Sequence, residues 1–259
     1  MPAILSAIDQ AGARKEGNLG ILHVAHRVGG PAPVFEDRED AGRTLSEFIS
    51  GEVAASTAVL GLPRGGIAVG AAVADSLDAP LVPLVVRKLP IPISPEMGFG
   101  AVAIDGKRSL NDSVVTAFGI SREEADRITA DVMEEVRRRA REYVGTDAPP
   151  EVEGRDVLIV DDGLATGFTV LVAAKMVRNR GPRSMTLAVP CSPAGTLHAM
   201  EDRFDGIHCL YSQKSPSFAV ASYYRDFHDM SDEEVKRYLD GRFSRSMGGA
   251  ASGPAAAEG

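Results

Sequence analysis

Cysteine occurs only twice in these 259 residues, at Cys191 and Cys209, with no metal-type spacing. Such scarcity excludes a disulfide-stapled scaffold and a cysteine-rich zinc module, and it suits free thiols in a reducing compartment. Excess positive charge is missing too. The net charge is −8, so the protein as a whole should repel nucleic acid and anionic membrane. No apolar run approaches the roughly 18 residues needed to cross a bilayer. The first residues lack the charged-then-apolar order of a secretory leader, so the expected compartment is the cytoplasm. No internal repeat is visible. What is present, 44% hydrophobic and 25% charged residues, is ordinary for a globular protein, and the length can bury one large core.

The most informative stretch is Asp156-Val-Leu-Ile-Val-Asp-Asp-Gly-Leu-Ala-Thr-Gly-Phe-Thr169. Val157 to Val160 form an unbroken apolar run rich in branched residues, which reads as a strand buried on both faces. Asp161 and Asp162 follow where that strand should end. Gly163, Ala165, Thr166, Gly167 and Thr169 come next, ahead of an apolar helical pattern. Small residues let a backbone turn tightly enough to aim several N–H groups at one anion, and a helix N-terminus adds partial positive charge. Carboxylates accept hydrogen bonds from hydroxyls. The pattern therefore suits a sugar phosphate. A plain strand-to-helix turn and a receiver-type phosphorylation site are the competing readings. The latter normally carries its acids after an early strand and needs no Thr-Gly cradle.

A second strand–turn–helix lies about 95 residues upstream. Thr57 to Leu62 reads as a buried strand, Pro63-Arg64-Gly65-Gly66 as a tight turn, and Ile67 to Leu77 as a helix. This is again a phosphate-facing geometry. Leu81 to Val86 reads as the next strand, ending in the basic pair Arg87-Lys88. Pro90, Pro92 and Pro95 preclude a helix beyond it. Ala101–Ile104, Asp105-Gly106 and Arg108–Leu110 read as a hairpin.

The order apolar strand, two acids, glycine, small-residue loop with Thr-Gly and second Thr resembles the phosphoribosyl-pyrophosphate (PRPP) signature of the type I phosphoribosyltransferases. The resemblance runs from about Phe35 to Leu239, as order and spacing, and is closest to uncharacterised predicted members whose acceptors are mostly unassigned. It implies a three-layer α/β fold: a mainly parallel sheet flanked by helices, with a flexible loop or hairpin and a small hood. It implies that Asp161 and Asp162 hold the ribose hydroxyls, with Gly163, and that Ala165, Thr166, Gly167 and Thr169 cradle the 5′-phosphate. Arg64, Gly65 and Gly66 match the pyrophosphate loop in position, and Lys88 is the basic residue expected to reach the pyrophosphate. Asp161, Asp162 and Lys88 are then the catalytic set. Mg²⁺ would be carried mainly by PRPP, with Asp161 and Asp162 contributing. The implied activity is phosphoribosyl transfer to a nitrogen acceptor, a nucleobase or similar, with pyrophosphate release. The alternatives are a PRPP-sensing regulator without turnover and a hydrolase of PRPP or a nucleotide. No nucleic-acid or membrane partner is expected, and a homodimer is suggested by analogy alone. Residues 89–100 match the family's mobile loop in position, but Glu96, Met97 and Phe99 stand where orotate-using members carry Lys and His.

The domain reading is an N-terminal extension over 1–33, weakly structured, a phosphoribosyltransferase domain over 34–240 and a disordered tail over 241–259. His23 and His26 lie in the extension and, with no further ligand nearby in sequence, are not read as a metal pair. Ser121 to Val144 reads as the longest helix, whose cluster Arg137, Arg138, Arg139 and Arg141 reads as a salt-bridged surface. Cys191 reads as structural. Phe218, Tyr223, Tyr224 and Phe227 fit either a base sandwich in the hood or plain packing.

Overall fold

The computed structural model describes residues 20–29, 32–54, 57–214 and 217–243, apart from the side chains of residues 95 and 96. Val157 to Val160 are fully buried and form most of β7 (Asp156–Val160). The same logic of short branched runs gives β2 (Ala58–Gly61), β3 (Leu81–Pro83), β8 (Ser184–Pro193) and β9 (Gly206–Gln213). With β1 (Ile21–Val28) they make a six-stranded sheet in the order β1-β9-β8-β7-β2-β3, parallel throughout.

Chain direction reverses at the centre of this sheet. From β2 the chain runs through α2 (Gly65–Leu77) outward to β3. From β7 it runs through α5 (Phe168–Arg178) the other way, to β8, and then through α6 (Ala194–His198) to β9. Right-handed crossovers place α2 and α1 (Arg38–Ile49) on one face, and α5 and α6 on the other. The carboxyl ends of β2 and β7 thus flank a topological switch point, where ligands of open α/β sheets gather.

The second sheet is antiparallel: β4 (Val86–Ile91), β5 (Ser94–Ala103) and β6 (Arg108–Leu110). α3 (Asp112–Ala117) and α4 (Arg122–Val144) follow, and α4 packs on β4 and β5. Ser121 caps α4 by accepting from Glu124 N–H at 3.1 Å. The last helix among the described residues, α7 (Asp232–Leu239), opens with a full capping box between Ser231 and Glu234.

Four sequence expectations change. Residues 21–28 belong to the sheet rather than to a weakly structured extension. Among the described residues β1 is an edge strand with only β9 beside it, so it is half-exposed and carries no buried apolar run to announce it. Leu81–Val86 is two elements: Pro83 ends β3, having no N–H to continue the ladder, and the chain passes to the second sheet. The segment expected as a loop before Gly100 pairs as the β4–β5 hairpin, its prolines causing only register shifts at Leu89–Ile91. At the other end, Arg242 pairs with Asp75 at 2.7 Å and Phe243 packs on the core, so order extends past residue 240. The expectations for residues 1–19 and 244–259 lie outside the described residues.

Candidate functional site

Gly61 and Val160 are partners in the ladder between β2 and β7, so the two turns leave the sheet side by side. The upstream turn is short, and α2 begins at Gly65. A Cβ built on Gly65 would lie 1.8 Å from Asp162 Oδ2 and 2.8 Å from Arg38 Nε. One on Gly66 would lie 2.9 Å from Asp161 Cα and 3.1 Å from its Oδ1. Both glycines are needed because the acid pair fills the space where a side chain would go. Two motifs about 95 residues apart are therefore one site. The Pro63–Arg64 peptide bond within it is cis.

The acid pair is held from several sides. Asp161 Oδ1 accepts from Asp162 N–H at 2.9 Å. Arg38 Nε donates to Asp162 Oδ2 at 2.8 Å, and Arg38 Nη1 donates to His228 O at 2.9 Å. The guanidinium carbon lies 4.0 Å from the Phe227 ring centroid, a cation–π contact. Tyr224 Oη donates to Asp162 O at 2.6 Å. The Asp162 side chain keeps 16% of its exposure and that of Arg38 10%. Burial pushes both carboxyls above their ordinary range. The charge of Asp162 raises Asp161 further, while the Arg38 hydrogen bond and charge draw Asp162 back down.

The downstream cradle spans Gly163 to Thr169. Gly163 (φ 154°) has no room for a side chain, because Val220 Cγ1 and Cys191 Sγ lie 2.6 and 2.9 Å from a built Cβ. Leu164 N–H donates to Cys191 O at 2.9 Å, and Thr196 Oγ1 donates to Ala165 O at 3.1 Å. Ala165 and Thr166 are exposed. Gly167 caps α5 at φ 71°, where Met200 Cε would meet a Cβ at 1.8 Å. Thr169 lies half-buried in the first turn of α5. The arrangement presents exposed small residues at a helix N-terminus, a place that favours an anion.

The basic residues fall on the other side of the upstream turn. Arg64 caps α2, and its charge acts on Arg87, Tyr143 and Asp232. Arg87 pairs with Glu135 at 2.7 Å. Its pKa is lowered by burial first, then by the neighbouring Arg139 charge. Lys88 lies on β4, its stem crossing Gly98, in a groove of about 270 Å³ shared with Asp131 and Glu135. The structure thus brings together Asp161, Asp162, Gly65, Gly66 and the cradle, and places Arg64 and Lys88 toward α4.

Sequence reasoning missed Arg38. One signal could have found it: a lone cation at the first position of a helix whose first turn otherwise carries Glu39 and Asp40. A helix N-terminus disfavours positive charge unless something else uses it. The aromatic alternatives separate here. Tyr223 and Tyr224 are buried, Tyr223 Oη donating to Gln213 Oε1 at 2.7 Å, and so pack rather than face a base. Cys191 and Cys209 are free and buried, and burial pushes both thiols up. Arg137, Arg138, Arg139 and Arg141 each pair with a carboxylate of the chain.

Known proteins place the fold. The family profile described as "Phosphoribosyl transferase domain" matches residues 35–222. Two Mycobacterium tuberculosis proteins, named "Putative phosphoribosyl transferase MT0597" and "Putative phosphoribosyl transferase Rv0571c", are each 41% identical over 208 residues. These matches cover 80% of this chain but 46% of each relative, so the chain spans about half the length of the curated relatives it matches. The crystal structure of TT1426 from Thermus thermophilus is 31% identical, with a TM-score of 0.65, over 81% of this chain and 99% of that one. A parallel sheet with its acid pair at the switch point, and a profile match over most of the chain, together show that the protein belongs to the phosphoribosyl transferase family, in its type I fold.

Proposed function

We propose that the chain transfers the phosphoribosyl group of PRPP to a nitrogen acceptor and releases pyrophosphate. One observation carries the reading. The acid pair and the Gly65-Gly66 turn abut so closely that Asp162 occupies the space of the missing Cβ, beside an exposed small-residue cradle. A pentose gripped by Asp161 and Asp162 would have its 5′-phosphate toward Ala165–Thr169 and its pyrophosphate toward Arg64–Gly66.

In the reaction the bond from ribose C1 to the pyrophosphate oxygen breaks with its electron pair leaving on pyrophosphate. The acceptor nitrogen supplies the pair for the new C1–N bond and loses its proton. Positive charge grows on the ribose meanwhile, and two adjacent carboxylates favour it. The N–H groups of the cradle and of the α2 N-terminus favour the anionic ends. Arg64, on the turn itself, and Lys88, once its side chain swings out of the β4 groove, would add positive charge on the pyrophosphate side. Magnesium suits the donor set, because Asp161 and Asp162 offer hard oxygen atoms but too few to hold the ion alone, leaving PRPP and water to complete the shell. When bound it would neutralise charge on the departing pyrophosphate.

Calorimetric titration with Mg²⁺–PRPP tests binding, and a pyrophosphate-release screen across nucleobases and amines tests transfer. The reading expects saturable binding and acceptor-dependent release, with Asp162→Asn and Lys88→Ala each cutting turnover. Full activity in both variants would place the site elsewhere. Release without any acceptor would indicate a hydrolase, and binding without release a sensor.

A further inference from the structure

We propose a transition-metal site, of the kind that takes Zn²⁺, built from His23, Glu52 and His208 at the β1 edge of the sheet. His23 on β1 and His208 on β9 are direct partners in the parallel ladder. Their rings stack at 4.8 Å with 23° between planes. Glu52, just past the end of α1, points one carboxylate oxygen at both: its Oε2 lies 3.2 Å from His23 Nδ1 and 3.5 Å from His208 Nδ1. The three ligand atoms all lie within 4.8 Å of one another.

One observation favours a ligand over an ordinary ion pair. His208 is buried, its side chain 5% exposed, yet its Nδ1 has no hydrogen-bond partner among the described residues. A buried polar atom left so costs free energy, and a cation bound there would remove that cost. A neutral imidazole nitrogen placed in this way is the ordinary histidine ligand for such an ion. A tetrahedral ion with bonds of about 2.0–2.1 Å needs ligand atoms about 3.3 Å apart. Reaching that spacing requires Glu52 to rotate and the His23 ring to tilt out of its stack on His208, so that both lone pairs aim at one ion; these are the two partly exposed members of the site. Two imidazoles and one carboxylate suit Zn²⁺ and its neighbours and disfavour Mg²⁺ and Ca²⁺, which prefer all-oxygen shells. His26 cannot join: strand residues an odd number apart face opposite sides, and its ring stacks on Tyr211.

The site is separate from the acid pair. Helix α1 carries Arg38 at its start and leads to Glu52 beyond its end, and its 12 residues span about 18 Å. A metal here would tie the edge strand to the end of α1 and so act on stability.

The test titrates the chelator-treated full chain with Co²⁺, read by visible d–d absorption, and with Zn²⁺, read by calorimetry. The proposal expects one ion per chain and a rise in Tm with metal. Glu52→Gln and His23→Gln, at partly exposed positions, should each weaken binding at least tenfold, while His26→Gln should not. Absence of stoichiometric uptake, unchanged affinity in both ligand variants, or loss of binding in His26→Gln overturns it.

Discussion

Replacing Arg38 by methionine isolates the charge arrangement at the site. The guanidinium is the cation bonded to Asp162, at 2.8 Å and with both side chains largely buried. Removing one partner of such a pair costs about 3–5 kcal/mol, because the other charge stays buried and uncompensated. The penalty has a ceiling, since Asp162 can instead take up a proton. That costs about 1.4 kcal/mol for each pH unit above an ordinary carboxyl pKa of about 3.9. The ceiling is therefore about 4 kcal/mol at pH 7 and about 1.5 kcal/mol at pH 5. Loss of the Phe227 cation–π contact and of the bond to His228 O adds roughly 1 kcal/mol at either pH. In the variant the folded-state pKa of Asp162 lies further above its unfolded value, so the folded form holds more protons and stability falls as pH rises. Urea unfolding at the two pH values should show a cost of about 4–5 kcal/mol at pH 7, smaller by roughly 2 at pH 5, with an unchanged m value. In an Asp162→Asn background the same substitution should cost only about 1 kcal/mol. A cost below about 1 kcal/mol at pH 7, or one independent of pH, would refute the reasoning.

Gly65→Ala should leave the chain folded but displace Asp162 and Arg38, costing about 1–3 kcal/mol in unfolding experiments and abolishing Mg²⁺–PRPP binding in calorimetry. Asp161→Asn removes a carboxylate that burial and Asp162 hold above its ordinary pKa, so the unliganded protein should gain about 1 kcal/mol while PRPP binding is lost; a lower Tm would count against this. Cys191 and Cys209 should resist a thiol reagent in the native state and both react on unfolding, since burial keeps them protonated and covered.

Much of this was legible in the sequence where local chemistry decides structure. The run Val157–Val160, the caps Ser121 and Ser231, and the Asp105-Gly106 turn each declare themselves within a few residues. β1 did not, because an edge strand needs only one neighbour and little apolar surface, and the glycines around it read as breakers. Gly20 is instead a close approach, its missing Cβ lying 2.1 Å from Phe204 O. Partners distant in sequence were hidden for a different reason. Arg38 meets Asp162 across 124 residues, and His23 meets His208 only once β1 lies beside β9. Strand order and register create those contacts, and no local spacing encodes either.

The cost of the acid pair points to use rather than stability. A buried ion pair is often no more stable than well-packed apolar residues of the same volume. Here the chain commits more than a pair. Arg38 is bonded to Asp162, Phe227 stacks on Arg38, Tyr224 fixes the Asp162 carbonyl, and Gly65 and Gly66 forgo side chains to admit the carboxylates. The start of α2 also faces the two acids, and its dipole favours negative charge there. Every one of these devices keeps the carboxyl groups in place, and several favour their charge, against a burial that opposes it. A purely structural turn would have no need of them. Charged oxygens held at a sheet's switch point, beside an exposed helix N-terminus, are what a polyhydroxylated, phosphorylated ligand requires.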